Sequence, residues 1–139
     1  MSIINYQNLP STSTPLNATN LNSMQGIAET ITNSNGTAVK FTDGTMICYI
    51  NKTTTEQAID SQYGGSALYT GIFTWTFPVE FYAVPSASCG TFHWGTGASW
   101  GSVTNTTKTN ATIYGYDLFS RATGTNCNIQ AIAIGRWKA

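Results

Sequence analysis

Three separated stretches of this chain alternate their side chains at the period of a β-strand, and they restrict it to a mainly antiparallel β fold. They are Asn35-Gly-Thr-Ala-Val-Lys-Phe-Thr-Asp-Gly-Thr-Met-Ile-Cys-Tyr49, Trp75-Thr-Phe-Pro-Val-Glu-Phe-Tyr-Ala-Val-Pro85 and Ile129-Gln-Ala-Ile-Ala-Ile-Gly-Arg-Trp-Lys138. Each is bounded by Gly, Pro or Asn, the residues that end strands and shape turns. Strands are expected near 37–42 and 45–51, with Asp43-Gly44 as the hairpin turn between them. Further strands are expected near 66–77, 80–84, 86–94, 101–106, 110–119 and 126–137. Residues 52–65 are polar and turn-rich and read as a loop with one short element. Pro78 and Pro85 lack the amide a central strand needs, so they mark edges or strand ends. About eight short strands at this spacing make an antiparallel sandwich or barrel.

The first 32 residues follow another pattern. Pro10, Pro15 and the run Ser11–Thr14 make residues 1–16 an extended leader. Asn17 is a helix N-cap in the making. Leu21, Met24, Ala28 and Ile31 then fall at the spacing of an a/d seam, predicting a helix over 17–32. Two roles are open to it: an amphipathic helix lying on its own domain, or a short coiled-coil neck between copies. The expected parse is therefore a leader (1–16), a helical neck (17–32) and a β-sandwich head (33–139).

Charge removes several functions. Only 9% of residues are charged, six basic against six acidic. A nucleic-acid partner requires a basic surface that displaces counterions, and a polybasic membrane surface requires the same, so both are excluded. No apolar run approaches the roughly 20 residues that span a bilayer, so membrane insertion is not expected. Residues 1–30 lack the charged and apolar regions of a signal peptide, which points to synthesis in a cytosol. Three cysteines, Cys48, Cys89 and Cys127, are odd in number and lack C-x-x-C spacing. They read as buried reduced thiols, with no disulfide framework, metal site or cofactor.

The three strand phrases, in this order, resemble the C-terminal receptor-binding domains of bacteriophage tail fibres. That family opens on a phrase like Asn35–Tyr49, continues through a Thr-Phe-Pro-x-x-Phe-x-x-x-Pro segment like Thr76–Pro85, and closes on a strand like Ala133–Lys138. The second and third phrases also resemble H-type lectins, trimeric six-stranded sandwiches that bind sugars between protomers. Together the resemblances imply a homotrimer on a virion tail, made in the host bacterial cytoplasm. Its N-terminal segment would attach to other tail or baseplate proteins, and its head would bind a host surface glycan.

Two segments carry residues suited to such a ligand. Phe92–Gly101 sets Trp94 and Trp100, two flat apolar faces, beside the polar edge of His93 in a glycine-rich stretch. A pyranose has an apolar C–H face and a rim of hydroxyls, which this mixture matches. Packing of both tryptophans on their own sheet is the competing expectation. In Tyr114–Arg121, Tyr114, Tyr116 and Leu118 share one strand face. Asp117 and Arg121 are expected to form either a sugar-binding polar pair or a structural salt bridge. Tyr63, Tyr69 and Tyr82 are candidate rim aromatics, with core packing the favoured expectation for Tyr82. The last strand is apolar on both faces and carries small residues, which places it near an oligomer axis.

Catalysis has little to stand on. If Cys89 and His93 share a strand they lie roughly 13 Å apart at about 3.3 Å per residue, beyond the reach of a base. A glycosidase needs two facing carboxylates, and Asp43, one of the six available, is assigned to a turn. No catalytic residue is assigned, and binding without chemical turnover is expected. The second expectation is a structural tail protein that only trimerises or docks.

Overall fold

A computed structural model describes residues 26–139 of the chain. Among the described residues nine strands form two sheets, with every pairing antiparallel. The first sheet holds five strands in the order β1 (Ile27–Asn33), β2 (Gly36–Phe41), β3 (Thr45–Thr54), β9 (Cys127–Arg136) and β6 (Ser86–Trp94). The second holds β4 (Ser61–Gln62), β5 (Tyr69–Thr76), β8 (Asn110–Asp117) and β7 (Trp100–Thr106). The mainly β expectation is met by this sandwich-like pair of sheets.

Alternation decides what lies between the sheets. Met46, Cys48 and Ile50 of β3 point inward with Ile129, Ala131 and Ala133 of β9, and all are buried. Opposite them lie Trp75 of β5 and Ala111 and Ile113 of β8. Burying each large side chain contributes about 1.5–3 kcal/mol. Phe92 of β6 fills the space against Gly101 and Gly115: an added Cβ would run into its ring at Gly115, and into its Cβ and the Cys89 sulfur at Gly101. The indole of Trp75 donates 2.8 Å to the Asn35 carbonyl, tying β5 to the β1–β2 turn.

The Asp43-Gly44 turn forms where expected. Gly44 has φ +93°, the Gly44 amide donates to the Phe41 carbonyl, and the Asp43 carboxylate accepts the Thr45 amide at 2.8 Å. Pro78 and Pro85 lie just outside β5 and β6, at strand ends.

Two expectations are corrected. Ala28 and Ile31 stand on strand β1 rather than on a helix. Thr30, Ile31 and Thr32 supply β-branched side chains, and β2 offers a paired edge across a short turn, which an isolated helix cannot match. Ala28 falls at the register shift of that pair. Leu21 and Met24, the other two seam positions, lie outside the described residues, as do residues 1–16. Residues 80–84 form no strand. Phe77 and Phe81 plug the core there, and the Phe81 and Tyr82 amides donate to the Lys108 and Arg136 carbonyls, pinning a loop across the sheet ends. Consequently Tyr82 is 57% exposed rather than packed in the core.

Candidate functional site

The expected site residues separate into three groups. The first is an aromatic strip on the outer face of the four-stranded sheet. In β8 the residues Ala111, Ile113, Gly115 and Asp117 face inward, so Thr112, Tyr114 and Tyr116 face out. Register places Tyr116 between Trp100 of β7 and Thr70 of β5, and Tyr114 between Ser102 and Ile72. Trp100 and Tyr116 stack, with ring centroids 5.8 Å apart and planes inclined by 26°. Tyr114 follows at 6.2 Å from Tyr116. Trp100 is 47% exposed, and Ile72 beside Tyr114 is 56% exposed. The result is a stepped platform of π faces and phenol hydroxyls with the Ser102 side chain alongside. Such a surface suits a ligand with a flat apolar face and a polar rim.

The second group is closed on itself. Asp117 is 1% exposed and both its oxygens are occupied. Oδ2 accepts from Arg121 Nε and from the Ser99 hydroxyl, each at 2.9 Å, while Oδ1 accepts the Phe119 amide at 2.9 Å and Arg121 Nη2 at 3.3 Å. Burial pushes the Asp117 pKa up, but the hydrogen bonds from Arg121, Phe119 and Ser99 outweigh it and hold the carboxyl below its ordinary range. The Arg121 guanidinium lies 5.1 Å from the Trp94 ring centroid and 5.4 Å from that of Phe119. The Trp94 indole donates 2.9 Å to the Ala122 carbonyl. These contacts join the 95–99 turn to the 118–126 loop. Of the two roles open to the pair, the geometry favours the salt bridge.

His93 stands apart. It is exposed on β6 opposite Asn128, and so belongs to the other sheet. Cys89, on the same strand, turns inward and its thiol donates to the Thr91 carbonyl. Among the described residues no three His, Cys, Asp or Glu side chains converge as a metal site would require.

Position along the molecule separates the strip from Gly26, where the described residues begin. Gly26 meets Thr42 beside the β2–β3 turn, at the end where Thr45 pairs with Arg136. Trp94, Trp100 and Tyr116 lie at the other end, where Trp94 pairs with Cys127. Loops gather there: Gly95 bonds to Asn126, Gly124 to Thr55, and Ile59 bridges Arg121. Tyr63 (55% exposed), Leu118 and Phe119 are exposed among those loops, while Tyr69 is half-buried against the core.

Ile72 and Ser102 were missed by sequence reasoning. Nothing local singles them out. The signal lay in the pairing of β5, β7 and β8, since residues directly opposite each other on neighbouring strands share a face, and Ile72 and Ser102 both pair with Tyr114. Comparison with protein-family models, with curated proteins and with solved structures returns no match for this chain.

Proposed function

We propose that this chain is a receptor-binding protein of the phage tail-fibre type, holding a host surface glycan on the Trp100–Tyr116–Tyr114 strip without breaking a bond. One observation carries the reading: Trp100, exposed and stacked on the half-buried Tyr116, lies at the loop-rich end, opposite the end at which Gly26 meets Thr42. The ligand's C–H face would rest on the Trp100 and Tyr116 rings, and hydroxyls would meet the phenols and the Ser102 side chain. The Asp117–Arg121 pair would hold the surrounding loops in place rather than touch the sugar. With a formal net charge of zero, the protein would gain little from long-range steering. Avidity from several copies on a virion tail would supply strength that one shallow site lacks.

The same reading makes the protein a homotrimer, and the outer face of the five-stranded sheet is the surface suited to meeting its copies. Val39, Ile47 and Ile134 form one row across β2, β3 and β9, and Tyr49 and Ile132 form the next. Ile134, Tyr49 and Ile132 are 46%, 46% and 39% exposed. This apolar face also favours the second reading, a structural tail or baseplate protein whose head only trimerises or docks.

A glycan array and a host-cell binding assay, run with wild type and with Trp100→Ala/Tyr116→Ala of matched fold and oligomeric state, separate the two. Binding by wild type that the double variant loses supports the glycan reading. Binding that survives moves the ligand off the strip. A correctly assembled protein that binds no glycan and no cell leaves the structural reading standing.

A further inference from the structure

At the end opposite the strip, an open hollow of about 670 Å³ is lined by Glu80, Tyr82, Val84, Lys108 and Trp137, with Phe81 as its floor. It is built rather than incidental. Phe81 is 1% exposed and Phe77 4%, and their rings meet edge to face at 5.1 Å. With Phe81 anchored in the core, Glu80 and Tyr82 on either side of it are left at the surface. The Phe81 and Tyr82 amides donate to the Lys108 and Arg136 carbonyls at 2.9 and 2.8 Å, which anchors the backbone between Glu80 and Tyr82. Tyr82 and Val84 are 57% and 61% exposed.

Charge is unevenly placed in a chain that has so little of it. Three of the six basic residues, Lys40, Lys108 and Lys138, lie beside Trp137 or line the hollow with it, and a fourth, Arg136, precedes it in the chain. The Lys40 and Lys138 ammonium groups lie 5.4 and 4.8 Å from its ring centroid, so that ring is already engaged and serves as a wall. Arg136 donates to the Asp43 and Lys138 carbonyls. Lys40 pairs with Glu29 at 2.8 Å. Among the described residues neither Lys108 nor Glu80 has an ion-pair partner.

We propose that this hollow is a second binding site, for a sugar carrying one carboxylate. The apolar ring face lies on Tyr82 and Val84, the ligand carboxylate meets Lys108, and Glu80 accepts ligand hydroxyls. A neutral sugar would leave the Lys108 charge unused. A dianion would share the hollow with the Glu80 carboxylate, so a single negative charge suits the site best. This site uses no residue of the aromatic strip and stands or falls independently of it.

The test is an NMR titration of the ¹⁵N-labelled full chain with methyl β-glucuronide and, in parallel, with methyl β-glucoside. The glucuronide is expected to shift the amides of residues 80–84 and 108 and the Trp137 indole, and to bind at least tenfold more tightly than the glucoside. Lys108→Ala, whose side chain lies at the surface, should keep the native spectrum and reduce the glucuronide to the glucoside's affinity. Trp100→Ala should leave these shifts unchanged. No shift at residues 80–84 from either sugar, or equal affinity for both, overturns the proposal. So does glucuronide binding that Lys108→Ala leaves intact.

Discussion

The outer faces of the two antiparallel sheets differ in the chemistry that dominates each. On the four-stranded sheet the outward row is Trp100, Tyr116 and Tyr114, interleaved with hydroxyl side chains. On the five-stranded sheet it is Val39, Ile47, Tyr49, Ile132 and Ile134, bordered by Ser86 and Ser88. Aromatic rings with polar tips suit a ligand that is partly apolar and partly hydrated. Branched aliphatic side chains suit a dry contact with another protein surface. The difference teaches that exposure alone does not identify a site: Ile134 and Trp100 are almost equally exposed, at 46% and 47%, and only their neighbours tell them apart.

The largest effect is expected where the aromatic face depends on the loops behind it. Arg121→Ala leaves the buried Asp117 carboxylate without its cation, and removing one partner of a buried pair costs roughly 3–5 kcal/mol. Urea denaturation checks the loss. The sign with pH follows from the lowered Asp117 pKa. The wild-type contribution is complete above the ordinary carboxylate value and disappears as pH falls through the lower folded value. The wild-type and Arg121→Ala curves should therefore converge in acid. Curves that stay parallel would break the link between this pair and the loop end.

The layer shared by the two sheets answers to alkali. Burial pushes the Cys48 and Cys127 thiols up to about 11, from an ordinary value of 9.0. Folded protein then holds protons that unfolded protein releases between those values, so stability is full below pH 9 and falls toward pH 11. The loss amounts to roughly 2–3 kcal/mol for each thiol. Thermal melts across that range check it. A thiol reagent at pH 7.5 should label Cys48 and Cys127 only after denaturation, and rapid labelling of native protein would contradict their burial.

Much of this contrast was legible in the sequence, and the rest was not, for reasons that individual residues make plain. Period-two alternation located β6 at 86–94 and the Asp43-Gly44 turn directly, because strand parity and turn chemistry are local. Tyr114 and Tyr116 share a face by the same parity, and Trp100 joins them because β7 pairs with β8. Ala28 and Ile31 misled because spacings of three and four also occur by chance in a short strand. Only the partner strand β2 decides between the two structures. Tyr82 was misplaced for a related reason. Phe81 took the core position, and one-residue parity sent its neighbour outward, which the sequence does not reveal until the loop's anchor is known. Trp94 and Trp100 were similar in sequence and differ in role because one lies beside Arg121 and the other beside Tyr116.

A pair of changes on the aliphatic face sharpens the comparison from the other side. Ile132→Ser/Ile134→Ser removes apolar surface that is already half exposed, so the protomer should lose under about 1 kcal/mol of stability. If copies meet through this face, as proposed, their association should weaken by about 2 kcal/mol, following the apolar area withdrawn from the contact. Analytical ultracentrifugation checks this, with Trp100→Ala as the control that leaves the assembly intact. If both variants sediment as wild type does, the aliphatic face is not where copies meet.

The smallest effect separates ring from hydroxyl on the aromatic face. Tyr116→Phe keeps the π face that stacks at 5.8 Å on Trp100 and deletes only the phenol oxygen. If the sugar rests chiefly on the rings, the variant should bind within about threefold of wild type, or ~0.6 kcal/mol. Tyr116→Ala, which removes the platform and frees Trp100 to reorient, should lose about tenfold, or ~1.4 kcal/mol. Titration of both variants against any glycan that wild type selects on the array distinguishes the two contributions. A tenfold loss from Tyr116→Phe would mean that the hydroxyl, and not the stacked face, holds the ligand. The aromatic strip would then bind through a line of polar tips, and its contrast with the aliphatic face would lie in those oxygens rather than in the rings beneath them.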